Sequence, residues 1–358
     1  MKKLSVRSRC SEKHKPFAQC KIDDSRTGIL MEELKCKLTG GTPHKHYGFL
    51  FTCCNYENNC IKSTDKRSDY FDSINLNPAV TQCKYTIKLR NRNVCQVRLD
   101  FEELVLAGTT AVTLPSETNK QVYLCTTDEL RVGPSFYGIP LLCGNNSNQH
   151  VYVHVNQSDD HVNAITLEIN MANRLTTLNL LKPSWKIKFT QLECPLKKHR
   201  FDISKFSDID EIANDFSLLA PQGVIQYFRG HSGEIRSFGY NDTTTSSYLS
   251  YPYSEYYAIG FHRPNYVCGI KFTPVYLNLY KDSTGCVHYL YIPELVYGDS
   301  SKNSVSSTGG VCSADTSTIF YSFVPGPFYI HFKAIGTTAD TKPTQNQGFV
   351  IKYELITC

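Results

Sequence analysis

Fifteen cysteines are strung along 358 residues as dispersed singles, with one adjacent pair, Cys53-Cys54, and no C-x-x-C anywhere. The close pairs that zinc ribbons and fingers need are missing. Dispersed cysteines in such a chain point to disulfides, and so to an oxidising compartment. This constrains the fold strongly, because each bridge must hold two segments at a Cα separation of about 6 Å.

Composition says what the bridges staple. The chain is 41% hydrophobic and 20% charged, so it can bury real cores. Tyrosine (23) and phenylalanine (19) are abundant, and Gly and Pro are scattered throughout. That bias toward β formers predicts an all-β protein. The net charge of +5 is small and spread out, which argues against a nucleic-acid partner. No run of about 18 apolar residues occurs, so no membrane span is expected. The opening MKKLSVRSRC is basic but lacks the apolar core of a signal peptide. The expectation is a mature or truncated form, or a gene model without its leader.

Residues 1–59 read as a cysteine-rich N-terminal segment, stapled more than packed. Cys53 and Cys54 should have separate partners, since a bond between neighbours strains the peptide that joins them. Residues 60–194 form a first domain. Its strands are expected at 83–88, 94–105, 121–125, 130–132, 150–155, 164–169 and 185–191, separated by Gly, Pro and Asn turns. The central one, Val94–Val105, alternates Val97, Leu99 and Phe101 with Gln96, Arg98 and Asp100. Residues 195–220 form a linker, in which Ser207 caps a short helix through Ile209, Ile212 and Phe216. Residues 221–358 form a second domain, with strands at 224–228, 234–238, 256–262, 266–272, 277–279, 288–292, 318–323, 328–332 and 349–355. Short strands divided by turns imply sandwiches.

The two domains repeat. VCQVRLDF (94–101) corresponds to VCGIKFTP (267–274), and WKIKFTQLEC (185–194) to FVIKYELITC (349–358). Cys95, Cys125, Cys143 and Cys194 then match Cys268, Cys286, Cys312 and Cys358. The middle pairs flank neighbouring strands and suggest Cys125–Cys143 and Cys286–Cys312. The outer pairs suggest Cys95–Cys194 and Cys268–Cys358. The first domain has a further pair, Cys60–Cys83, whose places in the second are taken by Val224 and Gly260. Cys10, Cys20, Cys36, Cys53 and Cys54 remain, an odd number, so one of them is free, paired between chains or without its partner here.

These features resemble the CUB domain, an extracellular β-sandwich. CTTDELRV (125–132) with LLCGNN (141–146) fits its short-range cysteine pair with C-x-x-D at the start, and GFVIKYEL (348–355) fits its final strand. CKYTI, VCQVRLDF, LLCGNNSNQHVY, WKIKFTQLEC and LAPQGVIQYF further resemble secreted arthropod proteins with a CC-ending N-terminal segment and two tandem CUB-like domains. The implied fold is two disulfide-linked, jelly-roll-like β-sandwiches behind a small cysteine-rich segment.

The resemblance also implies calcium, which many CUB domains hold at one edge through a Glu and two Asp. Asp128 stands at the C-x-x-D position and is the calcium candidate, with Asp159 or Asp160 as a second ligand. The expected Glu falls near Leu106 or Ala107, and neither is a ligand; no other cofactor is expected. In the second domain His288 and Tyr289 occupy the corresponding region. His150 and His154 share a strand face about 13 Å apart, too far for one metal. His44, Lys45 and His46 read as an exposed basic loop. Gly298-Asp299-Ser300 lacks the surroundings of a catalytic serine, and no HExxH or G-x-S-x-G occurs, so no catalytic residue is assigned. Asn145, Asn156 and Asn241 begin N-x-S/T sequons and are candidate glycosylation sites.

The expected function is a secreted, non-enzymatic module that binds an extracellular protein or glycan. The alternatives are a non-catalytic partner of secreted serine proteases and, last, an enzyme whose site no motif reveals.

Overall fold

The structure is a computed structural model. It describes residues 19–358 except 23–26, 39–41, 49, 56–59, 74–75, 77–79, 114–120, 157–161, 175, 178, 195–214, 241–250, 254, 284, 299–309 and 336–346. Its contacts divide the chain into two compact units, Met1–Ile61 and Lys62–Cys358.

The N-terminal unit has more regular structure than its sequence suggests. Strands β1 (Gln19–Lys21), β2 (Thr27–Glu32), β3 (Thr42–Tyr47) and β4 (Phe51–Asn55) form one antiparallel sheet in the order β1-β2-β4-β3, with a short helix α1 (Glu33–Leu38) between β2 and β3. Cys53 and Cys54 are adjacent on β4, so their side chains leave opposite faces of the strand. Cys53 bonds to Cys20 and Cys54 to Cys36. Periodicity misses this sheet because it buries little apart from cystine, with Met31, Cys36 and Cys54 as one small core.

The first sandwich takes β5 (Ile61–Thr64), β6 (Ser68–Asp72), β7 (Gln82–Lys88), β8 (Val94–Val105), β9 (Thr110–Thr113), β10 (Gln121–Leu124), β11 (Asp128–Gly133), β12 (Gln149–His154), β13 (Ala164–Met171) and β14 (Ser184–Glu193). One sheet runs β11-β13-β7-β5 and the other β12-β8-β14-β6, with β9 and β10 paired apart. Alternation decides which side chains face inward: Val97, Leu99 and Phe101 on β8 are buried, as are Ile187 and Phe189 on β14. Trp185 lies against Phe71 with ring centroids 5.5 Å apart, and Phe71 against Tyr85 at 5.1 Å.

The second sandwich takes β15 (Val224–Phe228), β16 (Ser232–Arg236), β17 (Glu255–Phe261), β18 (Val267–Asn278), β19 (Lys281–Asp282), β20 (Gly285–Cys286), β21 (Tyr289–Tyr291), β22 (Val296–Tyr297), β23 (Gly310–Val311), β24 (Ser313–Ala314), β25 (Phe320–Ser322), β26 (Phe328–Ala334) and β27 (Gly348–Thr357). Its sheets run β15-β17-β26-β21-β23 and β16-β27-β18-β25-β22, with β24 also on β18. Phe261, Phe272, Phe332 and Phe349 fill the space between them.

The repeat is visible in the backbone. Against β14, β8 carries two register shifts, leaving Cys95 and Glu102 as extra residues; against β27, β18 carries two, leaving Cys268 and Val275. The positions correspond at an offset of 173 residues in both cases. A bulge re-aims its residue out of the ladder. Cys95 thereby meets Cys194, and Cys268 meets Cys358, at Cα separations of 5.6 and 5.1 Å. The second bulge explains why two strands are expected where one runs. Pro274 cannot donate to a ladder, and β18 passes it by bulging at Val275.

Cys125 bonds to Cys143 and Cys286 to Cys312. Cys60 and Cys83 are each disulfide-bonded. Cys10 and Ser207 lie outside the described residues; of the linker helix, a turn over 215–218 is described. At the non-cysteine pair of the second sandwich, Val224 packs directly on Gly260, where an added Cβ would come within 2.9 Å of Val224 Cγ1.

Candidate functional site

The predicted calcium residue is a buried structural knot. Asp128 begins β11, and its side chain is fully buried. Arg174, 10% exposed, grips it with both terminal nitrogens: Nη1 donates to Oδ1 at 2.8 Å, and Nη2 to Oδ2. The backbone N–H of Ala107 donates to Oδ2 at 2.8 Å and that of Ala172 to Oδ1 at 3.2 Å. Both oxygens are thus saturated by two amides and a guanidinium. A Ca²⁺ ion needs six to eight oxygen ligands. Here a side-chain cation already stands on the one carboxylate, and Leu106 and Ala107 offer no side-chain oxygen. The residues present do not fit calcium at Asp128. Among the described residues, no group of three or more His, Cys, Asp or Glu is placed to hold a metal ion. Asp159 and Asp160 lie outside the described residues.

His150 and His154 have a different task from metal binding. They sit on β12, an edge strand whose six residues are all buried. An edge strand buried on both faces needs a cover, and β15 of the second sandwich supplies it. His154 Nε2 lies 2.8 Å from the Val224 carbonyl oxygen. His150 Nε2 accepts from the Tyr227 N–H at 3.0 Å. Between them, the Tyr152 hydroxyl donates to the Leu218 carbonyl at 3.1 Å. Gln96 on β8 bonds Ala220 both ways, at 2.7 and 2.9 Å. Tyr152, Leu192, Ala220, Val224, Tyr227 and Ala258 form one buried cluster across this seam. Burial lowers His150 from 6.5 to about 4, with the Arg98 charge adding to it, and burial lowers His154 as well.

The seam continues at two glycines. Gly144 and Gly239 both have positive φ, at 75° and 71°. A Cβ on Gly144 would come within 3.0 Å of the Gly239 carbonyl oxygen, so the two backbones approach as only glycine permits. The Gly239 N–H donates to Asn146 Oδ1 at 2.7 Å.

The second sandwich presents the exposed surface of most interest. On the outer face of β17, β26 and β21, the register places Tyr256 opposite Lys333, and Tyr291 opposite His331. Tyr256, Tyr329 and Tyr291 are 59%, 42% and 39% exposed. His331 lies at their centre, stacked on Tyr256 at 5.9 Å and edge-on to Tyr329 at 5.5 Å. Lys333 Nζ lies 5.4 Å from the Tyr289 ring centroid. Sequence reading missed this face. The signal was available in the FYIHFK run, where Tyr329, His331 and Lys333 occupy alternate positions.

Of the sequons, Asn145 is half-buried with its side-chain oxygen accepting from the Ser147 N–H at 3.1 Å, and Asn156 follows β12. Asn241 and Ser300 lie outside the described residues. His44, Lys45 and His46 are exposed on β3. His288 is fully buried, with Nδ1 2.7 Å from the Tyr251 hydroxyl. No described helix is long and apolar enough to cross a membrane.

Residues 221–356 match the family model of the animal CUB domain. Similar solved structures include the CUB1-EGF-CUB2 domains of rat MASP-1, at 11% identity over 82% of this chain and 99% of that one, with a TM-score of 0.25. The MASP-1 CUB2 domain bound to Ca²⁺ is 15% identical over 36% of this chain and 96% of that one, with a TM-score of 0.24. A search of curated proteins returns no match.

Proposed function

With residues 221–356 a CUB domain, we propose that the chain is a secreted, non-enzymatic binding protein that engages an extracellular protein or glycan through the tyrosine face of β17, β26 and β21. CUB domains and multiple disulfides are typical of extracellular proteins, and CUB domains are in general non-catalytic interaction modules. The observation that carries the reading is the cluster of three exposed tyrosines around His331. Tyrosine offers a large contact area with few rotatable bonds, and interfaces are enriched in it. A flat sheet face bearing such rings is costly to leave in water unless something covers it.

The test is capture of partners from extracellular fluid by the intact protein and by a Tyr256→Ser, Tyr329→Ser variant. Glycosidase treatment of the fluid separates protein from glycan recognition. The wild type should retain a partner that the variant loses. Equal capture by both removes this face from the account.

A further inference from the structure

The second sandwich holds a cleft of about 410 Å³. Phe261, Pro325 and Pro327 give it apolar walls, and Tyr227, His262 and Arg263 line it with polar groups. Arg263 is held rigidly. Its Nε donates to the Val267 carbonyl at 3.0 Å, and its Nη1 to the carbonyls of Val324 and Gly326 at 2.6 and 2.8 Å. Its guanidinium carbon lies 4.5 Å from the Phe328 ring centroid. All these partners are neutral, so the positive charge is uncompensated, and Nη2 has no partner among the described residues. Arg229, at the end of β15, is exposed and has no hydrogen bond or ion pair among the described residues. It is near enough that its charge, after burial, helps to lower His262. The Tyr227 hydroxyl lies 3.2 Å from His262 Nδ1. With that hydroxyl donating, Nε2 of a neutral His262 carries the ring proton.

Arg263 and His262 thus line an apolar-walled cleft to which no described carboxylate is paired, and Arg229 follows two residues after Tyr227, another of its lining residues. The aromatic rings and prolines suit a flat apolar body, and the Arg263 guanidinium suits a planar oxyanion. We propose that this cleft binds a carboxylate carried on an apolar body, presented by the C-terminal residue of a protein partner. The proposal rests on the reading of the chain as a binding module, but not on the tyrosine face, since Tyr256, Tyr291 and Tyr329 do not line the cleft.

The experiment titrates the intact, isotope-labelled protein with N-acetylphenylalanine, with its uncharged amide and with inorganic phosphate, followed by backbone and arginine side-chain NMR. The carboxylate should give saturable shifts at Tyr227, His262, Arg263 and Gly326. It should bind about tenfold more tightly than the amide, the loss expected for one charge-assisted contact. Arg229→Glu, a change at an exposed side chain without partners, should weaken carboxylate binding by about tenfold or more. Arg263→Lys should weaken it too, since an ammonium cannot reproduce the planar fork. Equal affinity for the amide, no saturable shift, or indifference to Arg229→Glu would overturn the proposal. Phosphate binding as tightly as the carboxylate would overturn the assignment to a peptide. A Tyr256→Ser, Tyr329→Ser protein should bind the carboxylate unchanged, so failure here is distinct from failure of the tyrosine face.

Discussion

Replacing Arg174 with methionine isolates the energetics of the knot at Asp128. Methionine keeps an unbranched apolar stem and removes the guanidinium, and with it two of the four hydrogen bonds to the carboxylate. Breaking a buried ion pair on one side typically costs about 3–5 kcal/mol, because it strands the other charge. Two amide donors stay on Asp128, so the lower end applies, about 3 kcal/mol. For the compact unit Lys62–Cys358 that lowers the melting temperature by roughly 5 °C. Denaturant unfolding with the disulfides intact reads the loss directly. Adding Asp128→Asn to Arg174→Met removes the stranded charge and should restore part of the loss, giving a coupling of about 2 kcal/mol in the double-mutant cycle. Calcium should leave the wild-type melting temperature unchanged. A loss below about 1 kcal/mol for Arg174→Met, within the range of exposed pairs, would refute the reasoning. So would a wild-type protein stabilised by calcium.

Two pH effects follow from buried groups. His150 is lowered from 6.5 to about 4, so the unfolded chain takes up its proton first as pH falls. Its share of stability is fully present above about 6.5 and is lost as pH drops toward 4, amounting to about 3 kcal/mol. Hydrogen exchange should show the protection of β12 and β15 weakening in that window, and a His150→Gln protein should lack most of the pH dependence. Glu255 behaves in the opposite sense. Its carboxyl is completely buried, neither oxygen has a partner among the described residues, and burial holds its pKa well above 4.5. Its contribution is present below 4.5 and is lost as pH rises toward the folded value. Glu255→Gln should therefore be more stable than wild type above neutrality, with the advantage shrinking as pH approaches 4.5 in a denaturation series.

Much of the sandwich fold is legible in the sequence, because burial on one face leaves a period of two. Val94–Val105 and Val224–Phe228 have the same bounds as expectation and as structure. What the sequence hides is long-range. Pro274 reads locally as a break, yet the ladder on both sides carries the chain through it as a bulge. His150 and His154 read as sharing one strand face, and nothing within β12 announces that β15 will cover it. Arg174 lies 46 residues from Asp128, so an acid in a family's calcium position looks available until the fold brings the guanidinium to it. The cleft around Arg263 is assembled from three separate stretches of chain, around 221–227, 261–263 and 325–327, and has no linear motif. Cys53 and Cys54 were readable as having separate partners, but not as bridging to Cys20 and Cys36, since spacing alone leaves several pairings open.

The central claim is a tandem pair of related sandwiches, each closed by the same two bridges and built for an oxidising compartment. Peptide mapping of the unreduced protein by mass spectrometry tests it most directly. The account predicts linked peptides for Cys95–Cys194 and Cys125–Cys143, and their counterparts Cys268–Cys358 and Cys286–Cys312. Free thiols at Cys95 and Cys194, or a crossed pairing in one half, would contradict it.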